Sequence, residues 1–102
     1  MYVIVWEFIV RPDKIGEFVA AYKSDGAWAQ LFAQAEGYAG TELLHSTDSG
    51  QSTIFITIDR WKMAEDFTRF QEHFGTEYRQ LDTQLEGLTS HERKLGTFIS
   101  ED

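Results

Sequence analysis

The sequence contains no cysteine and no asparagine, and it has only one proline. Cations are scarce: nine Lys and Arg stand against seventeen Asp and Glu, a net charge of −8 over 102 residues. Without cysteine there are no disulfides, thiolate metal sites, iron–sulfur clusters or cysteine nucleophile, and the chain suits a reducing cytoplasm. The negative balance argues against a nucleic-acid binder, which presents clustered Lys and Arg to phosphates. Long apolar runs are missing too. Met1 to Val10 is interrupted by Glu7 and stops at Arg11-Pro12, short of the roughly 20 apolar residues of a membrane helix. It also lacks the basic opening and small-residue cleavage site of a signal peptide. The expectation is a soluble, cytoplasmic protein without membrane contact. No phosphate-binding glycine loop, dinucleotide fingerprint or Gly-x-Ser-x-Gly elbow occurs, so no flavin or nicotinamide cofactor is indicated.

What is present is aromatic surface: eight Phe, four Tyr and three Trp. That content excludes disorder, and the length fits one domain over residues 1–102 with a core of modest size. Tyr2 to Val10 is rich in β-branched and aromatic residues and reads as a strand, apolar on both faces apart from Glu7. Arg11-Pro12-Asp13 ends it and offers Asp13 as a helix cap. Ile15, Phe18, Val19 and Tyr22 then recur at helical spacing. A second short helix carries Trp28, Leu31, Phe32 and Ala35 and stops at Gly37. Residues 39–47 and 52–61 read as strands joined by Thr47-Asp48-Ser49-Gly50-Gln51. In the second of them Ile54, Ile56 and Ile58 share one face, and Phe55, Thr57 and Asp59 the other. Phe67, Phe70, Phe74, Tyr78, Leu81 and Leu85 mark a long helical stretch that Gly75 bends or breaks. Residues 88–99 read as a last strand.

The order β-α-β-β-α-β is the ferredoxin-like α+β arrangement, one antiparallel sheet with helices on a single side. Nothing in so short a chain is left to cover the other sheet face, and an apolar patch of that size is rarely left bare. A second copy, sheet against sheet, is the economical cover, so a homodimer with a barrel-like shared core is expected.

Several stretches resemble the antibiotic biosynthesis monooxygenase family. They are Tyr2-Val3-Ile4-Val5-Trp6-Glu7-Phe8, Glu36-Gly37-Tyr38-Ala39-Gly40-Thr41, and Thr57-Ile58-Asp59-Arg60-Trp61 running into Ala64-Glu65-Asp66-Phe67. The similarity covers nearly the whole chain. It implies a dimeric α+β barrel and, for the activity, a cofactor-independent monooxygenase acting on a small planar aromatic or quinol-like molecule. Haem degradation is not implied. The family's haem-degrading branch uses an Asn–Trp–His triad, whereas this chain has no Asn and carries Gln80 near the position of that histidine. Nine residues after the strand-three Trp, where many members carry His or Trp, this chain has Phe70.

Candidate site residues follow from chemistry. His73, late in the long helix beside Phe70, Phe74 and Glu77, is a candidate base for ionising a phenol. Trp61 and Arg60 are candidate anion stabilisers. Trp6, Tyr22, Trp28, Phe32 and Phe70 are candidates for the walls of a cleft that takes a flat ligand. Against these stand plainer readings: Trp61 and the other aromatics as core, and His73, His45 and His91 as solvated. No metal-ligand spacing appears, and neither metal nor cofactor is expected. Glu7 and Glu42 are lone carboxylates in apolar strands: one of them is a candidate base with a raised pKa, or pairing with Arg60, Arg93 or Lys94 across an interface offsets the cost of burial. The rival functional class is a non-catalytic ligand-binding or stress-related dimer, and a third is an isomerase or decarboxylase on the same scaffold.

Overall fold

A computed structural model describes residues 1–48, 50 and 53–101. The elements are β1 (Tyr2–Val10), a 3-10 turn (Pro12–Lys14), α1 (Ile15–Tyr22), α2 (Ala27–Phe32), β2 (Tyr38–His45), β3 (Ile54–Trp61), α3 (Ala64–His73), α4 (Gly75–Leu85), a second 3-10 turn (Glu86–Leu88) and β4 (Thr89–Ile99). The strands form one sheet in the order β2-β3-β1-β4, every pair antiparallel. This is the ferredoxin-like α+β fold. Among the described residues no helix is long and apolar enough to cross a membrane.

Local chemistry explains most of the boundaries. Pro12, with no N–H to give, opens the 3-10 turn, and α1 starts only at Ile15. Asp13 sits inside that turn and makes no side-chain cap, contrary to the expectation from sequence. The long helical stretch is two helices, parted at Phe74, whose φ of −120° and ψ of 21° leave the helical region just before Gly75. The strand expected over 39–47 runs from Tyr38 to His45, and the one expected over 52–61 from Ile54 to Trp61. Of the expected hairpin loop, Ser49 and Gln51 lie outside the described residues, as do Ser52 and the final Asp102.

The sheet has one covered and one open face. Ile4, Phe8 and Val10 from β1 and Phe55, Thr57 and Trp61 from β3 are buried beneath the helices. They meet Phe18 and Tyr22 of α1, Trp28 and Phe32 of α2, and Phe70 of α3 in one aromatic core. On the opposite face Val3, Val5 and Ile9 alternate with these, beside Ile54, Ile56 and Ile58 of β3. All six are only half-buried. Leu44 on β2 and Phe98 on β4, 41% and 53% exposed, extend that apolar surface. Glu7 and Glu42 lie on it as well, and both are paired, to Arg93 and Arg60 at 3.3 Å each.

The link into β2 is held against the start of α3. Gly37, at φ +89°, accepts the Lys62 N–H at 2.8 Å. Asp66, 6% exposed, turns back to accept the Met63 N–H at 3.1 Å and pairs with Arg69. A Cβ on Gly37 would run into that Asp66 carboxyl. Gly37→Ala should therefore lower the unfolding free energy by about 2–3 kcal/mol, combining a left-handed backbone strain with a displaced cap. Urea denaturation checks this, and a loss below about 0.5 kcal/mol would show that the junction relaxes freely.

Candidate functional site

A pocket opens between the helices and the covered face of the sheet. Its walls are Trp6 and Phe8 from β1, Tyr22 from α1, Trp28 and Phe32 from α2 and Tyr78 from α4. The rings brace one another, with Phe8–Tyr22 and Trp28–Tyr78 centroids both 5.0 Å apart and Trp28–Phe32 5.8 Å apart. The cavity proper holds about 60 Å³, and about 480 Å³ with its solvent-filled mouth.

Polar groups enter from three sides: Thr41, Thr57 and Asp59 from β2 and β3, Asp82 from α4 and Glu92 from β4. Asp59 is held in place by a short chain. The Tyr38 hydroxyl donates to Thr41 Oγ1 at 2.5 Å, and Thr41 donates to Asp59 Oδ1 at 2.7 Å. Register explains the meeting, since Thr41 and Asp59 are direct cross-strand partners. Among the described residues none of Asp59, Asp82 and Glu92 has an ion-pair partner.

Burial without a counter-charge raises the pocket's pKa values. Desolvation pushes Asp59 up to about 6 from 3.8, opposed by the Thr41 hydrogen bond. Glu92 rises through desolvation first and then the neighbouring Asp82 charge. Tyr22 is pushed up to about 12, mainly by burial. Tyr78 moves the same way, through burial and then Asp82, Asp59 and Glu92. Tyr38 is likewise raised by desolvation. The Trp28 indole N–H leans on the Tyr22 hydroxyl enough to polarise it, yet falls short of a well-formed hydrogen bond.

The aromatic candidates Trp6, Tyr22, Trp28 and Phe32 come together in this pocket. Phe70, 1% exposed, stands behind Phe32 at 5.1 Å, edge to face. His73 is exposed and lines a separate depression of about 280 Å³ with Gln34, Asp66, Arg69 and Phe70. Trp61 is fully buried among Phe32, Tyr38, Phe67 and Phe70, where it ties β3 to α2 and α3. Arg60 points to the open face, paired with Glu42. His45 stacks flat on Phe55 at 4.0 Å, and His91 stands on β4 opposite Ile9. The structure thus separates His73, Trp61 and Arg60 from the pocket. The pocket groups that sequence reasoning passed over are Phe8, Thr41, Thr57, Asp59, Tyr78, Asp82 and Glu92. For Asp59 a signal existed: it alternates with Phe55 and Thr57 on the face that also carries Trp61. Among the described residues no group of three or more His, Asp or Glu is placed to hold a metal.

The raised pKa has a stability consequence. Asp59 binds its proton more tightly folded (about 6) than unfolded (3.8), so stability falls as pH rises through that window and the penalty is complete above it. Asp59→Asn, which can still accept from Thr41, should therefore raise the unfolding free energy at neutral pH by about 1–3 kcal/mol and change it little near about pH 3. A variant less stable than the wild type at neutral pH would contradict the assignment.

The chain matches the family model described as antibiotic biosynthesis monooxygenase over residues 1–82. Among curated proteins none matches it. Among solved structures it is similar to an asparagine-to-alanine variant of SnoaB, a cofactor-independent oxygenase from Streptomyces nogalater. The TM-score is 0.77 at 22% identity, covering 99% of this chain and 93% of that one. Rv0793 from Mycobacterium tuberculosis is similar at TM-score 0.73 and 16% identity, covering 99% and 95%. At such identities the likeness speaks for the fold, while the family model spans four-fifths of the sequence. The chain belongs to the antibiotic biosynthesis monooxygenase family.

Proposed function

We propose that this protein is a cofactor-independent monooxygenase whose substrate is a small planar phenol or quinol bound in the aromatic pocket. The observation that carries the reading is Asp59: a carboxylate without a counter-ion, braced by Thr41 and facing a cavity walled by aromatic rings. Its raised pKa makes it a stronger base than an ordinary carboxylate, and it is the group we assign as base. His73 stands in a different depression, and Trp61 and Arg60 serve packing and surface pairing in this reading. The enclosed volume of about 60 Å³ favours a single ring, edge inward, over a polycycle.

The chemistry runs on the substrate's own electrons. Asp59 takes the ring hydroxyl proton, and the anion gives one electron to dioxygen. The resulting radical and superoxide combine at a ring carbon bearing hydrogen, forming a C–O bond. The peroxide anion regains a proton from Asp59, and loss of water leaves a carbonyl. One oxygen atom is then in product and one in water. The Tyr38–Thr41–Asp59 chain links the base to a half-buried hydroxyl for proton exchange. The walls orient the ring and exclude water.

The whole chain acts as one domain in this reading, and two copies join through their open sheet faces. Those faces carry Val3, Val5, Ile9 and Ile56, with the Glu7–Arg93 pair among them. Light scattering at micromolar concentration should report twice 11.8 kDa, and a stable 11.8 kDa particle would contradict the dimer. Oxygen-electrode assays over a panel of quinols and naphthols should show enzyme-dependent uptake, falling about 100-fold or more in Asp59→Asn. Uptake unchanged in that variant would remove Asp59 from the mechanism. Tight ring binding with no uptake across the panel would favour the ligand-binding reading instead.

A further inference from the structure

Among the described residues the pocket is lined by no cation. Six aromatic rings form its walls (Trp6, Phe8, Tyr22, Trp28, Phe32 and Tyr78), and its polar lining is Thr41, Thr57 and three carboxylates. Asp59 is half-buried, while Asp82 and Glu92 line the pocket from exposed positions. We propose that the ligand of this pocket is an organic cation, a ring bearing an ammonium group, held by the aromatic walls and by Asp82 and Glu92. The inference rests on the aromatic pocket being the ligand site, as proposed above, and adds the charge of what enters it.

The argument is one of charge against geometry. Like carboxylates sharing an apolar site repel one another and the charges developing near them, and an oppositely charged ligand relieves both effects. Ring faces carry a negative quadrupole and attract cations within about 6 Å, most strongly where water is excluded. Among the described residues the three carboxylates form no metal-holding group. Trp28, 7% exposed, leaves its buried indole N–H without a full hydrogen bond. The same charge answers a difficulty in the oxidation. A phenolate forming beside Asp82 and Glu92 is repelled, and an ammonium on the same ring offsets that repulsion.

The surroundings of Asp59 set the pH behaviour. Thr41 and Tyr38 face it from β2, Tyr78 and Asp82 from α4 and Glu92 from β4, while β1 and α2 contribute only the uncharged Trp6, Phe8, Trp28 and Phe32. Tyr22 from α1 stays protonated. The nearby positive influences are His91, which acts on Glu92, and Lys94, which stands opposite Trp6 in register without an ion pair to any of the three carboxylates. Affinity for a permanent cation should therefore rise as Asp59 and Glu92 ionise.

Calorimetry with three matched probes tests this: (3-hydroxyphenyl)trimethylammonium, its uncharged isostere 3-tert-butylphenol, and 3-hydroxybenzoate. The cation should bind about tenfold tighter than the isostere, and the anion more weakly than either. Between about pH 5 and about pH 7 the cation's affinity should rise severalfold while that of the isostere stays flat. In the double variant Asp82→Asn with Glu92→Gln, both at exposed positions, the preference should fall about threefold or more, the remainder belonging to the Asp59 charge. An isostere that binds as tightly as the cation, or a preference undiminished in the double variant, overturns the inference and leaves the oxygenase reading standing. Failure of all three probes to bind overturns both.

Discussion

The interaction on which the rest depends is the burial of the Asp59 carboxylate against aromatic rings with no cation to answer it. A carboxylate so placed costs stability unless hydrogen-bonded, and here Thr41 supplies a bond. The protein keeps an unfavourable group in the layer between helices and sheet, where hydrophobic side chains would pack at no such cost. Strain of this kind gathers at sites of function, because a group held away from its preferred state is ready to react or to bind.

The fold creates that environment by covering only one sheet face. Helices laid on β1 and β3 leave a gap between α1, α2, α4 and the sheet, and Trp6, Tyr22, Trp28 and Tyr78 line it without filling it. The same one-sidedness leaves Val3, Val5, Ile9 and the three isoleucines of β3 on an open surface. Pocket and open face are thus two results of one arrangement. Glu7–Arg93 and Glu42–Arg60 punctuate the open side, while the pocket's Asp59, Asp82 and Glu92 have no ion-pair partner among the described residues.

Much of the fold is legible in the residues. Ile54, Ile56 and Ile58 against Phe55, Thr57 and Asp59 declare a strand buried unevenly on two sides, and the spacing of Phe67, Phe70, Phe74 and Tyr78 declares helix. Cap chemistry was less legible: Asp13 looks like a cap, but Pro12 places it within a 3-10 turn. The site is legible in part. Trp6, Tyr22, Trp28 and Phe32 stand out as surplus aromatics, and all four line the pocket. Asp59, Asp82 and Glu92 did not stand out, because they come from separate elements and each reads alone as a solvated acid. His73 stands out by residue type as a proton carrier, yet α3 carries it to a separate depression that it shares with Phe70. Chemistry of residue type is local, whereas a pocket is assembled by register and crossing geometry.

The account's central claim is tested most directly by following the Asp59 side-chain carboxyl carbon by NMR through a pH titration. A midpoint near 6, against the ordinary 3.8, is what a desolvated carboxylate without a counter-ion requires. A midpoint at or below the ordinary value would mean that water or an unseen cation already satisfies the group, and the pocket's claim to chemistry would fall with it.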